Sequence, residues 1–358
     1  MTKYILRRLI QSIPIFFGIT LISYFMLWAA PGDPVSRLFF GPNIRPDAKE
    51  RLSAQLGLND PVYIQYLRWL TGDDWMRWDS DGDGLADGSF ILKVDANGDG
   101  EPEPPGTNKG ILRGDFGRSF LKRQPALDLI AERLPATLEL GVTALLLALV
   151  VGIPVGILSA VYRGRLFDNI ARVMAVIFNA VPGFWLGLIL ILLFGSTWEL
   201  LPMGNQCAVT LTGVCPPLVE RLDYLILPAF VLASANIAAF SRFMRTSMLD
   251  VLGQDYIRTA RAKGLSLRTV WYRHAARNAL MPLATLIGQT IPLIIGGAVV
   301  TETIFSWPGI GRAAVDAVVQ QDYPVVMTVV IFASVSTVIG FLVSDVLYAL
   351  IDPRIRFE

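Results

Sequence analysis

Residues 135–162 read PATLELGVTALLLALVVGIPVGILSAVY, and beyond Glu139 no charged side chain interrupts them. A helix of that length crosses the hydrocarbon layer of a bilayer, which takes roughly 20 apolar residues because every backbone amide must be bonded within the segment once water is absent. Five more stretches have the same character, at about 9–30, 170–195, 224–243, 281–300 and 325–351. Several contain Pro or Gly (Pro154, Pro182-Gly183, Pro228, Pro292), which packed membrane helices tolerate and which mark kinks. The chain is 53% hydrophobic and 17% charged, with a mean hydropathy of +0.51. These values exclude an ordinary soluble domain. The expected fold class is an all-α integral membrane protein of about six transmembrane helices with an extracytoplasmic insertion. A net charge of +1 gives nucleic-acid binding no support.

The first apolar stretch follows Lys3, Arg7 and Arg8, as a signal peptide would. Its apolar run is long, and bulky Trp28 lies close before any cut after Ala30, so it is expected to remain as an uncleaved first span. Lys and Arg then fix the orientation. They gather at the N-terminus, at Arg163 and Arg165, in the stretch from Arg258 to Arg277, and at Arg354 and Arg356 in the tail. With six spans all four groups share one side, and the positive-inside bias makes that side, with both termini, cytoplasmic. The opposite short loops carry only Arg221 and Arg312. Cys207 and Cys215 fall in an outward loop, where a disulfide is expected because the compartment permits it and Gly213 allows a tight return; two unrelated thiols are the alternative.

The longest cytoplasmic loop, about 246–280, holds the most informative residues: QDYIRTARAKGLSLRTVWYRHAARNALMP from Gln254 to Pro282. Helix formers run from Asp255 to Lys263, with basic residues toward the end where the helix dipole favours them, and Gly264 supplies the stop. Ser266 is placed to cap a second helix in which Leu267, Val270 and Trp271 share one side. On charge alone this is a solvated basic loop, or a strip against anionic headgroups. The order of residues says more. Tyr256 to Leu265 and Arg273 to Pro282 resemble the coupling loop of the permease subunits of ATP-binding-cassette importers, specifically the peptide/nickel permease family. Further stretches look like that family's landmarks, in its order: Gly114–Phe120, Leu134–Leu140, Pro182–Gly187, Thr301–Arg312, Asp322–Pro324 and Asp352–Arg356. Arg258-Thr259-Ala260 stands where the wider importer motif has Glu-Ala-Ala, a departure typical of the peptide subgroup.

The resemblance implies a type I importer permease. Residues 1–134 would hold the first helix and a long extracytoplasmic segment, 135–351 the transmembrane core, and 352–358 a cytoplasmic tail, all in the inner membrane of a prokaryote. It implies a coupling site at Asp255, Tyr256, Thr259, Ala260, Arg261, Ala262, Lys263, Gly264 and Leu265. It also implies partners: a second permease, homologous or identical, two ATP-binding subunits that hold ATP and Mg, and an outside solute-binding protein. No Gly-Lys dipeptide occurs anywhere in the sequence, so ATP hydrolysis belongs to those partners and no intrinsic cofactor is expected. Family members carry di- and oligopeptides, nickel, glutathione or sugars. Peptides are the expected cargo, since no His or Cys cluster in the spans suits nickel.

Polar side chains within spans are costly unless they face a cavity or a neighbouring helix. Asn179, Phe184, Asn236 and Gln289 are therefore candidate pathway residues, although Asn and Gln also bond across helix contacts and Phe simply packs. Asp345 and Glu139 lie near span ends, and no series of carboxylates links the two sides, which disfavours a proton-coupled secondary transporter. A membrane enzyme is disfavoured because the single histidine, His274, sits in the coupling loop.

The insertion, about 72–110, carries Asp79-Ser-Asp-Gly-Asp-Gly-Leu-Ala-Asp87 and, starting at Asp95, a second Asp-x-Asn-x-Asp-Gly run. Both are the first half of a calcium loop, in which oxygen ligands at alternate positions wrap a hard cation and Gly permits the turn. Asp79, Asp81, Asp83, Asp87, Asp95, Asn97 and Asp99 are the candidate ligands. Phe90 and Gly106 stand where the closing carboxylate of a helix-loop-helix sensor would be, so the loops resemble calcium-binding repeats of extracellular proteins. The alternative is a flexible acidic loop, with Trp69, Trp75 and Trp78 at the membrane interface.

Overall fold

The computed structural model describes residues 2–30, 58–95, 100, 102–208 and 215–351. Asn97, Asp99 and the tail 352–358 lie outside them. Among the described residues there are eleven α-helices of six residues or more: α1 (Thr2–Ala29), α2 (Val62–Thr71), α3 (Ala126–Val161), α4 (Leu166–Ala180), α5 (Gly183–Leu190), α6 (Leu222–Leu252), α7 (Asp255–Ala262), α8 (Met281–Gly296), α9 (Val299–Ile304), α10 (Ile310–Val319) and α11 (Tyr323–Ile351). One short antiparallel hairpin among the described residues interrupts the helical pattern, β1 (Arg77–Trp78) against β2 (Gly88–Ser89). It lies in the insertion.

Among the described residues five stretches are long and apolar enough to cross a membrane: Leu6–Ala29, Ala126–Val161, Leu218–Leu252, Met281–Ile304 and Tyr323–Leu350. The expected third span is not one straight helix. Leu166–Ala180 and Gly183–Thr197 meet at a bend of 101°, and counting them as one span gives six. The cause is local. Val181, which precedes Pro182, is held extended at ψ 122°, as the proline ring forces on its neighbour, and Pro182 then caps α5.

The described residues form two compact units: Phe17–Glu132 with Asp316–Ile331, and the remainder, within Met1–Phe16, Arg133–Val315 and Phe332–Glu358. In the larger unit α3 lies directly on α6, because Gly152 and Gly156 present no side chain there. A Cβ at Gly156 would stand 2.6 Å from the Met244 Cβ and the Ser241 carbonyl, and one at Gly152 would stand 3.0 Å from the Phe240 Cβ. Small residues four apart allow such backbone approach between membrane helices. The same device recurs where Gly288 of α8 meets Gly340 and Ser344 of α11.

Two landmark stretches meet in this unit around one carboxylate. Glu302, on α9, is fully buried. It accepts a 3.1 Å hydrogen bond from the Thr137 hydroxyl and a 2.9 Å bond from the Arg312 amide. Thr137 in turn accepts the Ile310 amide at 2.7 Å, and the Trp307 indole N–H donates to the Ala136 carbonyl at 2.8 Å. Gly309 and Gly311 press on the carboxylate, leaving no room for a Cβ at 309. In the other unit a parallel arrangement joins two further landmarks. Asp322 accepts the Phe120 amide at 3.1 Å and a short bond from the Ser119 hydroxyl. The insertion's base is held by Asp73, which accepts from the Asn108 amide at 2.8 Å and from Arg68 at 2.9 Å.

Overpacking in such a cradle costs about 1–3 kcal/mol. Gly309→Ala is therefore expected to lower the thermal unfolding midpoint of the detergent-purified protein, followed by tryptophan fluorescence. Gly253→Ala serves as the control, since a Cβ there would stand 3.5 Å from the Asp250 carbonyl, an ordinary contact, and it should unfold as the parent does.

Candidate functional site

Between α6 and α8 the chain leaves the helix bundle and returns. The short helix α7 runs Asp255–Ala262 and is anchored by two residues only: Ile257, fully buried, and Ala260, 7% exposed. Both belong to the core cluster that includes Met244 and Met248 of α6 together with Val270, Ala275 and Ala279. One further tie crosses the loop, a 2.7 Å hydrogen bond from the Asn278 amide group to the Tyr256 hydroxyl.

The end of α7 is a Schellman motif. The Gly264 amide bonds the Arg261 carbonyl at 3.0 Å, and the Leu265 amide reaches back to the Ala260 carbonyl at 3.4 Å. Gly264 sits at φ +75°, the left-handed conformation that glycine adopts without penalty. Nothing lies within 4 Å of a Cβ placed there, so its constraint is purely conformational. The Ser266 side chain then accepts the Thr269 amide, the expected N-cap. Beyond Thr269 the chain departs from a regular helix and is wound as π over Val270–Ala275. Leu267, expected to share one side with Val270 and Trp271, is 55% exposed, whereas Val270 is fully buried.

Residues Asp255, Tyr256, Thr259, Arg261, Ala262, Lys263, Gly264 and Leu265 thus form one continuous exposed surface, with Ala260 turned inward. It is a rigid knob, capped at its far end, whose underside is fixed to the last two turns of α6.

The pathway candidates differ in exposure. Asn179 and Gln289 are exposed, Asn236 is half-buried with its amide 3.4 Å from the Leu232 carbonyl, and Phe184 is 50% exposed. No hydrogen bond joins any two of them among the described residues. In the insertion, by contrast, Asp79, Asp81, Asp83 and Asp87 each bring a carboxylate oxygen within 4.8 Å of the others. The amides of Gly84 and Gly82 hold the Asp79 carboxyl below its ordinary value. Asp81 takes the Asp83 amide, which pulls its carboxyl down, yet the charges of Asp83 and Asp87 prevail and push it up. The second loop repeats one contact of the first: Gly100 donates to Asp95 at 3.1 Å as Gly84 donates to Asp79 at 2.9 Å. Cys207 and Cys215 form a disulfide. Its base is clasped by Arg221, which bonds the carbonyls of Gln206 and Pro216 and both oxygens of Glu139.

Residues 152–357 match the family described as "Binding-protein-dependent transport system inner membrane component", and residues 1–77 match its N-terminal counterpart. The chain belongs to this family. It is a permease of the ATP-binding-cassette importer type, and a multi-pass membrane protein. The oligopeptide transport system permease protein AppB of Bacillus subtilis is 40% identical to it over the full length of both chains. The dipeptide transport system permease protein DppB of Escherichia coli K12 is 37% identical, and the glutathione transport system permease protein GsiC of the same strain is 33% identical, again with all of each chain covered. Among solved structures, a chain of the MetNI methionine ABC transporter in inward-facing conformations aligns with a TM-score of 0.50 at 16% identity, over 63% of this permease and 97% of that chain. That likeness concerns the fold, the type I importer permease fold.

The permease also contains polar pairings that its sequence did not announce. Asp168, at the start of α4, is 1% exposed. It accepts from Arg245 at 2.7 and 2.9 Å, from Ser159 at 2.6 Å and from the Gly164 amide at 2.8 Å. The only local signal is an acidic residue in the first turn of a helix.

Proposed function

We propose that this permease forms half of the translocation path of a peptide importer, and that its 255–265 knob is the point at which an ATP-binding subunit moves it. The observation that carries the substrate class is end-to-end similarity to relatives named for oligopeptides, dipeptides and glutathione, which are all peptides. The knob supports the coupling role. A helix fixed to the bundle by Ile257 and Ala260 and exposed along the rest of its surface transmits a push as a rigid body, and hinge or shear movements of packed helices follow from such a lever. In this scheme ATP and Mg are held by two partner subunits, a second permease of the same or related sequence completes the path, and a solute-binding protein delivers peptide from outside. Both termini and the knob face the cytoplasm. Asn179, Phe184, Asn236 and Gln289 face the path, where amides address peptide backbone groups.

The acidic turn of the insertion is assigned a calcium ion. Oxygens that each stand 2.3–2.6 Å from a cation lie at most about 5 Å apart, and the four carboxylates already meet that limit. Replacing Asp79, Asp81 and Asp83 by Asn in the intact protein is expected to abolish calcium binding at this loop, by calorimetry, without stopping transport. Unchanged binding would remove the assignment.

The coupling role is tested in liposomes holding the complete transporter. Left-handed backbone costs a non-glycine residue about 1–2 kcal/mol. Gly264→Val is therefore expected to leave the protein inserted but to lose peptide-stimulated ATP hydrolysis or the co-purifying ATP-binding subunits. If Gly264→Val transports normally while Arg268→Glu does not, the loop acts through charge alone and the lever is wrong.

A further inference from the structure

Beside the knob, on the same end of α6, the helices α3, α4 and α6 leave a cleft of about 260 Å³. Its walls are of two kinds. Val155, Ala171, Ala175 and Val176 supply its apolar lining, and Arg172, Arg242 and Arg245 with Ser159, Ser241 and Thr246 supply the polar part. No carboxylate lines it among the described residues. Arg245 is spent on Asp168, which it meets at 2.7 Å, whereas Arg172 pairs with that carboxylate only at 3.8 Å, donates one N–H to the Asn169 side chain at 2.6 Å and is 57% exposed, leaving its other N–H groups to a ligand. Arg242 has no carboxylate partner among the described residues. The cleft therefore holds two guanidinium groups in excess of negative charge, next to an apolar wall, between helices that run through the bilayer.

We propose that this cleft binds an anionic phospholipid of the cytoplasmic leaflet, its phosphate on Arg172 and Arg242 and the start of an acyl chain along Val155, Ala175 and Val176. The leaflet rests on the cytoplasmic placement of the 162–165 and 253–280 loops under the proposed function. Charge complementarity selects the occupant. A zwitterionic lipid leaves the two cations uncompensated, and a soluble anion leaves the apolar wall bare; basic pockets between membrane helices on the cytoplasmic side suit acidic headgroups. The remainder of the chain would continue over the exposed Ile170, Val173 and Ile177 of α4. Because Met244 and Met248 on the same end of α6 seat Ile257 of α7, the lipid would stiffen the support of the knob.

The test uses the complete transporter in nanodiscs of phosphatidylcholine with a minor share of phosphatidylglycerol, followed by native mass spectrometry during stepwise delipidation. The parent is expected to retain one phosphatidylglycerol per permease chain after the bulk lipid is gone. With each basic residue near an anionic surface contributing a comparable increment, Arg172→Gln with Arg242→Gln should weaken retention about 30-fold. Ala175→Leu, which fills the cleft and keeps every charge, should also release the lipid, and Arg172→Lys with Arg242→Lys should keep it. Equal retention of phosphatidylcholine, unchanged retention in the double Gln variant, or displacement by excess inorganic phosphate would overturn the proposal. The readout is lipid mass, so failure of peptide-stimulated ATP hydrolysis would count against the importer scheme and leave this result to be judged on its own.

Discussion

A carboxylate buried among membrane helices has no water to turn to, and Glu302 shows how the chain meets that constraint. Its two oxygens are bonded to the Thr137 hydroxyl and the Arg312 amide, while glycines at 309 and 311 bring the backbone close enough to enclose it. Removing one partner of such a buried group leaves the other unsatisfied, which costs more than the bond itself contributes. This single group therefore joins the Thr137 turn of α3, α9 and the turn into α10 in one arrangement. Asp168 does the same at the start of α4, where it binds Arg245 of α6. The helices between these two sites need only pack, and they do so through Gly152, Gly156 and Gly288.

Much of this was legible in the residues, for physical reasons. An apolar run longer than a bilayer is thick has few alternatives to a membrane helix, and the runs read at 135–162 and 325–351 correspond to α3 and α11. The break at Pro182 and the stop at Gly264 were equally readable, because a proline restricts its own neighbour and a left-handed position selects glycine. The size of the bend, 101°, was not. It depends on what the two half-helices pack against. Nor was the π winding over Val270–Ala275, for which the local sequence carries no marker.

The polar pairings were illegible for a different reason. Thr137 and Glu302 are 165 positions apart, and Ser119 and Asp322 are 203 apart. Each was recognisable only as part of a landmark, without its partner. Periodicity reports which face of a helix is buried, not what meets it. Glu139, expected near a span end, forms a two-pronged ion pair with Arg221, at 2.7 and 2.8 Å. The second half of that clasp is the disulfide loop itself.

The same rigidity gives the knob at 255–265 its meaning. Two buried side chains and one hydrogen bond tie it to the bundle, and in the proposed coupling a partner that grips it moves α6. Its contact is the direct test. With Cys207 and Cys215 joined to each other, a cysteine introduced at the exposed Ala262 would be a defined site for a short bifunctional maleimide in the assembled transporter. The lever predicts a covalent product with a single cysteine of an ATP-binding subunit, and a yield that changes between the nucleotide-free and vanadate-trapped states. Absence of any product from Ala262→Cys, when a cysteine in place of Ser80 in the insertion gives one with the same subunit, would contradict it.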